Sequence, residues 1–473
     1  MVKRVFMKRI LLLGISYCIL VTAGSGQTLT QKLQKAFIAF ENDIQIKNAS
    51  TSLYVIDAQS GQVVFEKNSR VGLAPASTQK IITSVSAYEL LGKDFLYKTE
   101  FGINDKTNSQ LYILPAGDPT LGSWRWRFTS IDSLLNNMVD ALSKKGIQQI
   151  RNIMIDNSGW DAENIPDGWI WQDIGNYYGA GAQKFNYREN QQDIFLQSGK
   201  SIGDSVRIVF MVPEEAMPLK EKFVSKLTSA ARGSGDNAYV YFPNDGSGNF
   251  VIRGTIPVNE NSFSISASIT EPENLFFNSL KTRLRKEKQI DVSNYKLEII
   301  NRKTDQQPSI SVIYTHISPV LDSIIYWFNK KSVNLYGEAL IKTIGYLKKG
   351  NGSTDSGVSV VQDFWKEKNL DPDELKIVDG SGLSPLNRVS THAQVEILKY
   401  ARSKEWFPGF YNSLPEYNGM MMKSGTIRGA KGFTGYHKAK NGKEYIFSFL
   451  VNNYNGSPSA LVNKMYRVLD NLK

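Results

Sequence analysis

Ser77 and Lys80 stand three residues apart in the stretch Ala74-Pro-Ala-Ser-Thr-Gln-Lys-Ile-Ile-Thr-Ser-Val-Ser-Ala-Tyr-Glu-Leu-Leu91. On a helix that spacing makes them neighbours on one face. A serine hydroxyl is a weak nucleophile, and a desolvated lysine amine beside it can act as its base. The N-terminus of the helix adds N–H groups that favour developing negative charge. The same serine also suits a helix cap. Because Ser-x-x-Lys recurs at Ser293-Asn-Tyr-Lys296, the motif needs partners before it means anything.

Two other short motifs supply candidates. In Lys331-Ser-Val-Asn334, Ser332 and Asn334 point the same way from an extended turn. The hydroxyl can relay a proton, and the amide can both donate to and accept from a peptide. A turn or cap reads equally well there, and Ser247-Gly-Asn249 repeats the pattern. In Lys423-Ser-Gly-Thr426, Lys423 and Gly425 share one face of a strand. The missing side chain at Gly425 lets another backbone approach, while Ser424 and Thr426 offer hydroxyls to a carboxylate. The plain alternative is a basic edge strand. His316, His392 and His437 form no ligand-spaced pair, so no metal is expected.

The elements around these motifs follow from periodicity. Ile81, Ile82, Val85 and Leu91 form an apolar stripe, so the Ser77 helix is expected to be buried, opening at Pro75 and closing at Gly92. Ser52–Asp57 and Gln62–Glu66 read as a strand pair ahead of it. From about Phe95 the texture is β-rich, and helices return at Glu271–Gln289 and Pro319–Leu347. Asn441-Gly442 marks a hairpin near the end.

Composition narrows the class. A chain of 473 residues with 41% hydrophobic and 21% charged residues is long enough for several cored domains and is not disordered. Lys3, Arg4, Lys8 and Arg9 precede the apolar run Ile10–Val21 and the small residues Thr22–Gly26, the order of a cleaved signal peptide. The run is shorter than the ~20 residues needed to span a bilayer, so no transmembrane segment is expected to be retained. Cys18, the single cysteine, lies inside this leader. Its removal leaves no disulfide, thiol nucleophile or thiolate metal site. The net charge of +11 includes the four leader cations, and the run Lys281–Lys288 reads as a solvated helix face rather than a nucleic-acid surface.

Taken in order, a helix-borne Ser-x-x-Lys, a Ser-x-Asn between helices and a Lys-Ser-Gly before a hairpin form the motif set of penicillin-recognising serine enzymes. The chain resembles the class C low-molecular-mass penicillin-binding proteins, the D-alanyl-D-alanine carboxypeptidase/endopeptidases of the penicillin-binding protein 4 type. Gly117–Leu121, Gly168–Trp171, Ser318–Leu321, Lys330–Asn334 and Asp379–Ser384 resemble segments of that family. So does the long stretch between Ser77 and Ser332, where the family carries two extra domains and class A β-lactamases have none.

The resemblance implies an α/β multidomain fold. A penicillin-binding/β-lactamase-like transpeptidase domain, an antiparallel sheet flanked by helices, is interrupted by a β-rich insertion of two smaller domains. The expected divisions are 1–26 for the signal peptide, 27–95 with 312–473 for the catalytic domain, 96–205 with 268–311 for one insert and 206–267 for the other. It implies a periplasmic serine DD-peptidase acting on peptidoglycan stem peptides, without a cofactor and with β-lactam antibiotics as inhibitors. Ser77 would attack the penultimate D-alanine carbonyl with Lys80 as base. Ser332 and Lys423 would return the proton, and Asn334 would hold the substrate amide. N–H groups of Ser77 and Thr426 would form the oxyanion hole, with Ser424 and Thr426 on the terminal carboxylate.

Ser424 stands where relatives more often have Thr. After Ser384, relatives often place an arginine directly; here Pro385 follows and Arg388 comes later, as the candidate partner of an acidic substrate group. Asp173 is carried over as the candidate partner of a diamino acid's amino group. The competing readings are a β-lactamase of similar fold and a catalytically inactive peptidoglycan-binding protein. The second requires a missing motif residue, and every motif residue is present.

Overall fold

The computed structural model describes residues 27–243, 245–287, 290–293, 295–301 and 309–473. The leader and Cys18 lie outside the described residues, as does part of the basic run ending at Lys288. Among the described residues no helix is long and apolar enough to cross a membrane.

A six-stranded antiparallel sheet joins the two ends of the chain. Its order is Glu416–Tyr417, Met420–Ile427, Ala430–Lys438, Glu444–Asn452, Ser50–Asp57, Val63–Lys67. Its central strands are buried almost throughout because both faces are covered. Side chains alternate between faces along a strand, and the sequence of Ser50–Asp57 serves both. Leu53 and Val55 pack with Phe37, Phe40, Leu461 and Met465 from the first and last helices, Leu29–Glu41 and Pro458–Leu469. Tyr54 and Ile56 face a second core built by the helices Lys80–Leu91, Leu321–Lys330, Asn334–Lys349 and Thr391–Arg402.

The intervening chain forms its own core around a mixed five-stranded sheet, ordered Lys296–Ile300, Asn152–Asp156, Gln110–Leu114, Lys98–Asn104, Ile310–Ile317. Ile310–Ile317 pairs along its length with Lys98–Asn104, so this sheet runs past the expected boundary at 311. The boundary expected between 205 and 206 falls within another sheet, where Gln191–Gln197 pairs with both Arg207–Val212 and Phe263–Ser268. One apolar cluster passes through both inserted parts.

Candidate active site

Ser77 lies in a 3-10 turn, Ala76–Gln79, that leads directly into the helix Lys80–Leu91. The expected helix start therefore divides into a tight turn carrying the hydroxyl and an α-helix carrying the amine. Ala76, immediately before Ser77, has φ +49°, a left-handed conformation that costs an alanine roughly 1–2 kcal/mol. Its surroundings hold it there. Asn452 clamps the backbone of Ala74, accepting from its N–H at 2.8 Å and donating to its carbonyl at 3.1 Å. The Thr78 hydroxyl donates to Pro75 O and accepts from Gln394 Nε2, whose own carbonyl takes the hydroxyls of Thr434 and Ser448.

The strand Met420–Ile427 presses on this turn. A Cβ at Gly425 would lie 2.6 Å from Pro75 O, 2.8 Å from Thr78 N and 2.9 Å from Ser77 N. Only glycine allows that approach. Gly382 meets the turn from the other side, with φ +81° and a Cβ position 2.0 Å from Ala76 O.

Lys80 is fully buried, and its Nζ lies 3.2 Å from Ser77 Oγ, 2.6 Å from Asn334 Oδ1 and 2.7 Å from the Ser381 carbonyl. Burial lowers its pKa to about 7, against the opposing pull of Asp379 and Glu338. A neutral amine is thus available near neutrality, as a general base requires. Asn334 opens the helix Asn334–Lys349 and donates its amide N–H to the Tyr178 carbonyl at 2.8 Å. Ser332 has φ +57° and lines the cleft, and its hydroxyl has no hydrogen-bond partner among the described residues.

Lys423 is buried, and its Nζ donates to the carbonyl of Ser424 at 3.0 Å. Desolvation, then repulsion from Lys80 and Lys431, holds its pKa well below the usual lysine range. The repulsion from Lys80 is that of a nearby ammonium. Neither Ser77 nor Ser332 is hydrogen-bonded to it.

These groups open onto a cleft of about 1080 Å³ lined by Ser77, Ser332, Asn334 and Thr426, together with Asp173, Tyr177 and Tyr178 from the insertion. Burial raises the Asp173 pKa to about 6, with the Tyr178 hydroxyl pulling the other way. Arg388 does not join them. Its exposed guanidinium donates to the carbonyls of Pro385 and Asn387; Pro385 lines the cleft, but Arg388 itself does not. The cleft has a different arginine, Arg428, in the two-residue turn after Ile427. Ser424 is half-buried on that strand and is not in the lining.

Two carboxylates support the site from behind. Asp379 accepts from Gln79 Nε2, Gly382 N and Asn387 Nδ2 on one oxygen, and from Ser384 N and Trp169 Nε1 on the other. Glu338, one turn beyond Asn334, accepts from Gly380 N at 2.9 Å. Burial and the neighbouring Asp379 raise its pKa well above the usual carboxylate range. Asp379 lay inside a segment already singled out, and Glu338 follows Asn334 at helical spacing, but neither position could be assigned to the site from sequence. Among the described residues no cluster of three or more His, Cys, Asp or Glu could hold a metal ion.

A family model described as D-Ala-D-Ala carboxypeptidase 3 (S13) matches residues 29–472. The chain is 24% identical over 474 residues to the D-alanyl-D-alanine carboxypeptidase of Actinomadura sp. (strain R39), covering 92% of this chain and 84% of that one. It is 21% identical over 418 residues to the D-alanyl-D-alanine carboxypeptidase DacB of Haemophilus influenzae, covering 83% of each. The crystal structure of penicillin binding protein 4 (dacB) from Haemophilus influenzae superposes with a TM-score of 0.75 at 20% identity, over 94% of this chain and 98% of that one. A second structure of that protein, complexed with a novel β-lactam, gives a TM-score of 0.70 at 19% identity, over 93% and 98%.

Proposed function

Because the chain belongs to the D-Ala-D-Ala carboxypeptidase 3 (S13) family, we propose that Ser77 is its acylating nucleophile and peptidoglycan stem peptides are its substrates. The observation that carries this reading is the 3.2 Å separation of Ser77 Oγ from a buried lysine whose pKa is lowered to about 7. The enzyme is a serine-type DD-peptidase.

Ser77 Oγ attacks the carbonyl carbon of the penultimate D-alanine while neutral Lys80 takes its proton. The N–H groups of Ser77 and Thr426 receive the oxyanion, the contribution that is commonly largest in such chemistry. The amine of the last residue leaves with a proton delivered through Ser332 and Lys423. Water then cleaves the acyl-enzyme. Asn334, fixed between Lys80 and Tyr178, presents its amide to the peptide. A β-lactam follows the same first step, and its ring-opened acyl group stays on Ser77.

Asp173 takes the amino group of a diamino acid, either in the stem or across a D-Ala-diamino acid cross-link. The leader carries the chain across the inner membrane to the periplasm, where this polymer lies, and cell fractionation checks that location. Incubation with a fluorescent penicillin, followed by intact mass and peptide mapping, tests the reaction. The expected result is a lasting adduct on Ser77. Rapid loss of the adduct with hydrolysed drug would mark a β-lactamase, and folded protein without any adduct would mark a binding protein.

A further inference from the structure

Lys431 sits directly across the hairpin from Thr426, and its Nζ donates to Thr426 Oγ1 at 2.7 Å. Directly opposed residues of an antiparallel pair place their side chains on the same face. This lysine is only 9% exposed, yet no carboxylate lies within ion-pair distance of it among the described residues. Its ammonium lies over the ring of Phe433, 4.9 Å from the ring centre. Lys423 is buried on the neighbouring strand, and Arg428, in the connecting turn, has no ion-pair partner among the described residues. Lys431 lies close enough to Lys423 to repel it, and no carboxylate pairs with either among the described residues. A buried ammonium without a counter-charge is costly, so the arrangement favours an anion arriving from the cleft.

We propose that Lys431 is a positioning residue for the substrate's terminal carboxylate. It occupies the lone pair of Thr426 Oγ1 and so turns the Thr426 proton toward the cleft, where that carboxylate lies. An ammonium can only donate, so the hydroxyl that accepts from it keeps its own proton free to give away. The positive charge behind Thr426 adds to the attraction without touching the ligand. Burial lowers the Lys431 pKa to about 8, and a carboxylate bound at Thr426 would oppose that shift.

This inference rests on the DD-peptidase reading, and its test separates the two. Full-length mature enzyme is assayed on a peptide ending in D-Ala-D-Ala and on the same peptide with its C-terminus amidated, comparing wild type with Lys431→Met and Lys431→Arg. Wild type is expected to favour the free acid. Lys431→Met should raise KM for the acid by about tenfold or more, the scale of a lost charge-assisted hydrogen bond, and so collapse the acid-to-amide ratio. Lys431→Arg should restore most of that ratio. Equal losses on acid and amide, or a ratio unchanged in Lys431→Met, would overturn the role of Lys431 and leave the Ser77 chemistry standing. A wild-type enzyme that cleaves neither peptide would instead overturn the reading beneath it.

Discussion

Trp169 donates its indole N–H to Asp379 Oδ2 at 3.0 Å, so a residue of the insertion supports the carboxylate whose charge acts on Lys80. The Tyr178 carbonyl makes a second such link by fixing the Asn334 amide. The inserted segment is part of the site rather than an appendage to it. Trp169→Phe keeps the ring and removes only the donor, leaving one Asp379 oxygen with Ser384 N as its remaining partner. The expected result is a loss of roughly 1–2 kcal/mol in urea unfolding and slower labelling of Ser77 by penicillin. Unchanged labelling would show that the insertion does not tune the site.

Gly425→Ala drives a methyl group into Pro75 O and Ser77 N. Backbone atoms on both sides leave little room to relax, so overpacking should cost about 1–3 kcal/mol. It should also slow acylation more than the fall in Tm would suggest, because the displaced atom is the N–H of Ser77, one of the two proposed oxyanion donors. Acylation at the wild-type rate in this variant would separate the strand from the oxyanion site.

Lys80 sets a pH dependence whose sign is fixed. If the neutral amine is the base, as proposed, a pKa of about 7 makes acylation rise with pH below 7 and level off above it. The stability effect has the same direction. Between about 7 and 10.5 the unfolded chain holds a proton that the folded chain lacks, so this group's contribution to stability increases with pH across that window. A rapid-mixing measurement of acylation that stays flat from pH 5 to pH 8, as order-of-magnitude limits on either side of that pKa, would remove Lys80 as base.

Asp379→Asn removes the strongest charge holding the Lys80 pKa up. The rising limb of the acylation profile should therefore move to lower pH. The same change turns an acceptor of five hydrogen bonds into a group that must donate toward donors, at a cost of about 2–4 kcal/mol. Urea midpoints and pH–rate profiles on one preparation check both effects, and a limb moving upward would contradict the electrostatic assignment.

Asp173 should discriminate substrates by charge only while it is ionised. With its pKa raised to about 6, KM for a diamino-acid stem should increase as pH falls through that value. In Asp173→Asn the same KM should be high at every pH. Parallel behaviour of both proteins would remove Asp173 from substrate recognition.

The sequence made the three motifs legible because each depends on local spacing: Ser77 with Lys80, Ser332 with Asn334, and Lys423 with Gly425. It also placed a strand at Ser52–Asp57, two residues short of the observed start at Ser50, and the Asn441-Gly442 hairpin, which have strong local signals. The turn at Arg428-Gly429 was missed, since an arginine carries little turn preference, and Arg428 and Lys431 went unnoticed with it. Arg388 was chosen by its position along the chain, whereas its guanidinium is satisfied by its own loop carbonyls. Asp379 and Glu338 were hidden because their relation to Lys80 exists only after distant segments pack together.

The sheet beside Ser77 pairs Ser50–Asp57 with Glu444–Asn452, and Gly425 reaches Ser77 from a strand far downstream in the sequence. During synthesis Ser77 and Lys80 emerge well before Gly425 and the strand Glu444–Asn452 that complete their surroundings. Contacts so distant along the chain form slowly. A chain cut short before Asn452 lacks part of the sheet and the Asn452 clamp on Ala74, and is expected to resist acylation by penicillin.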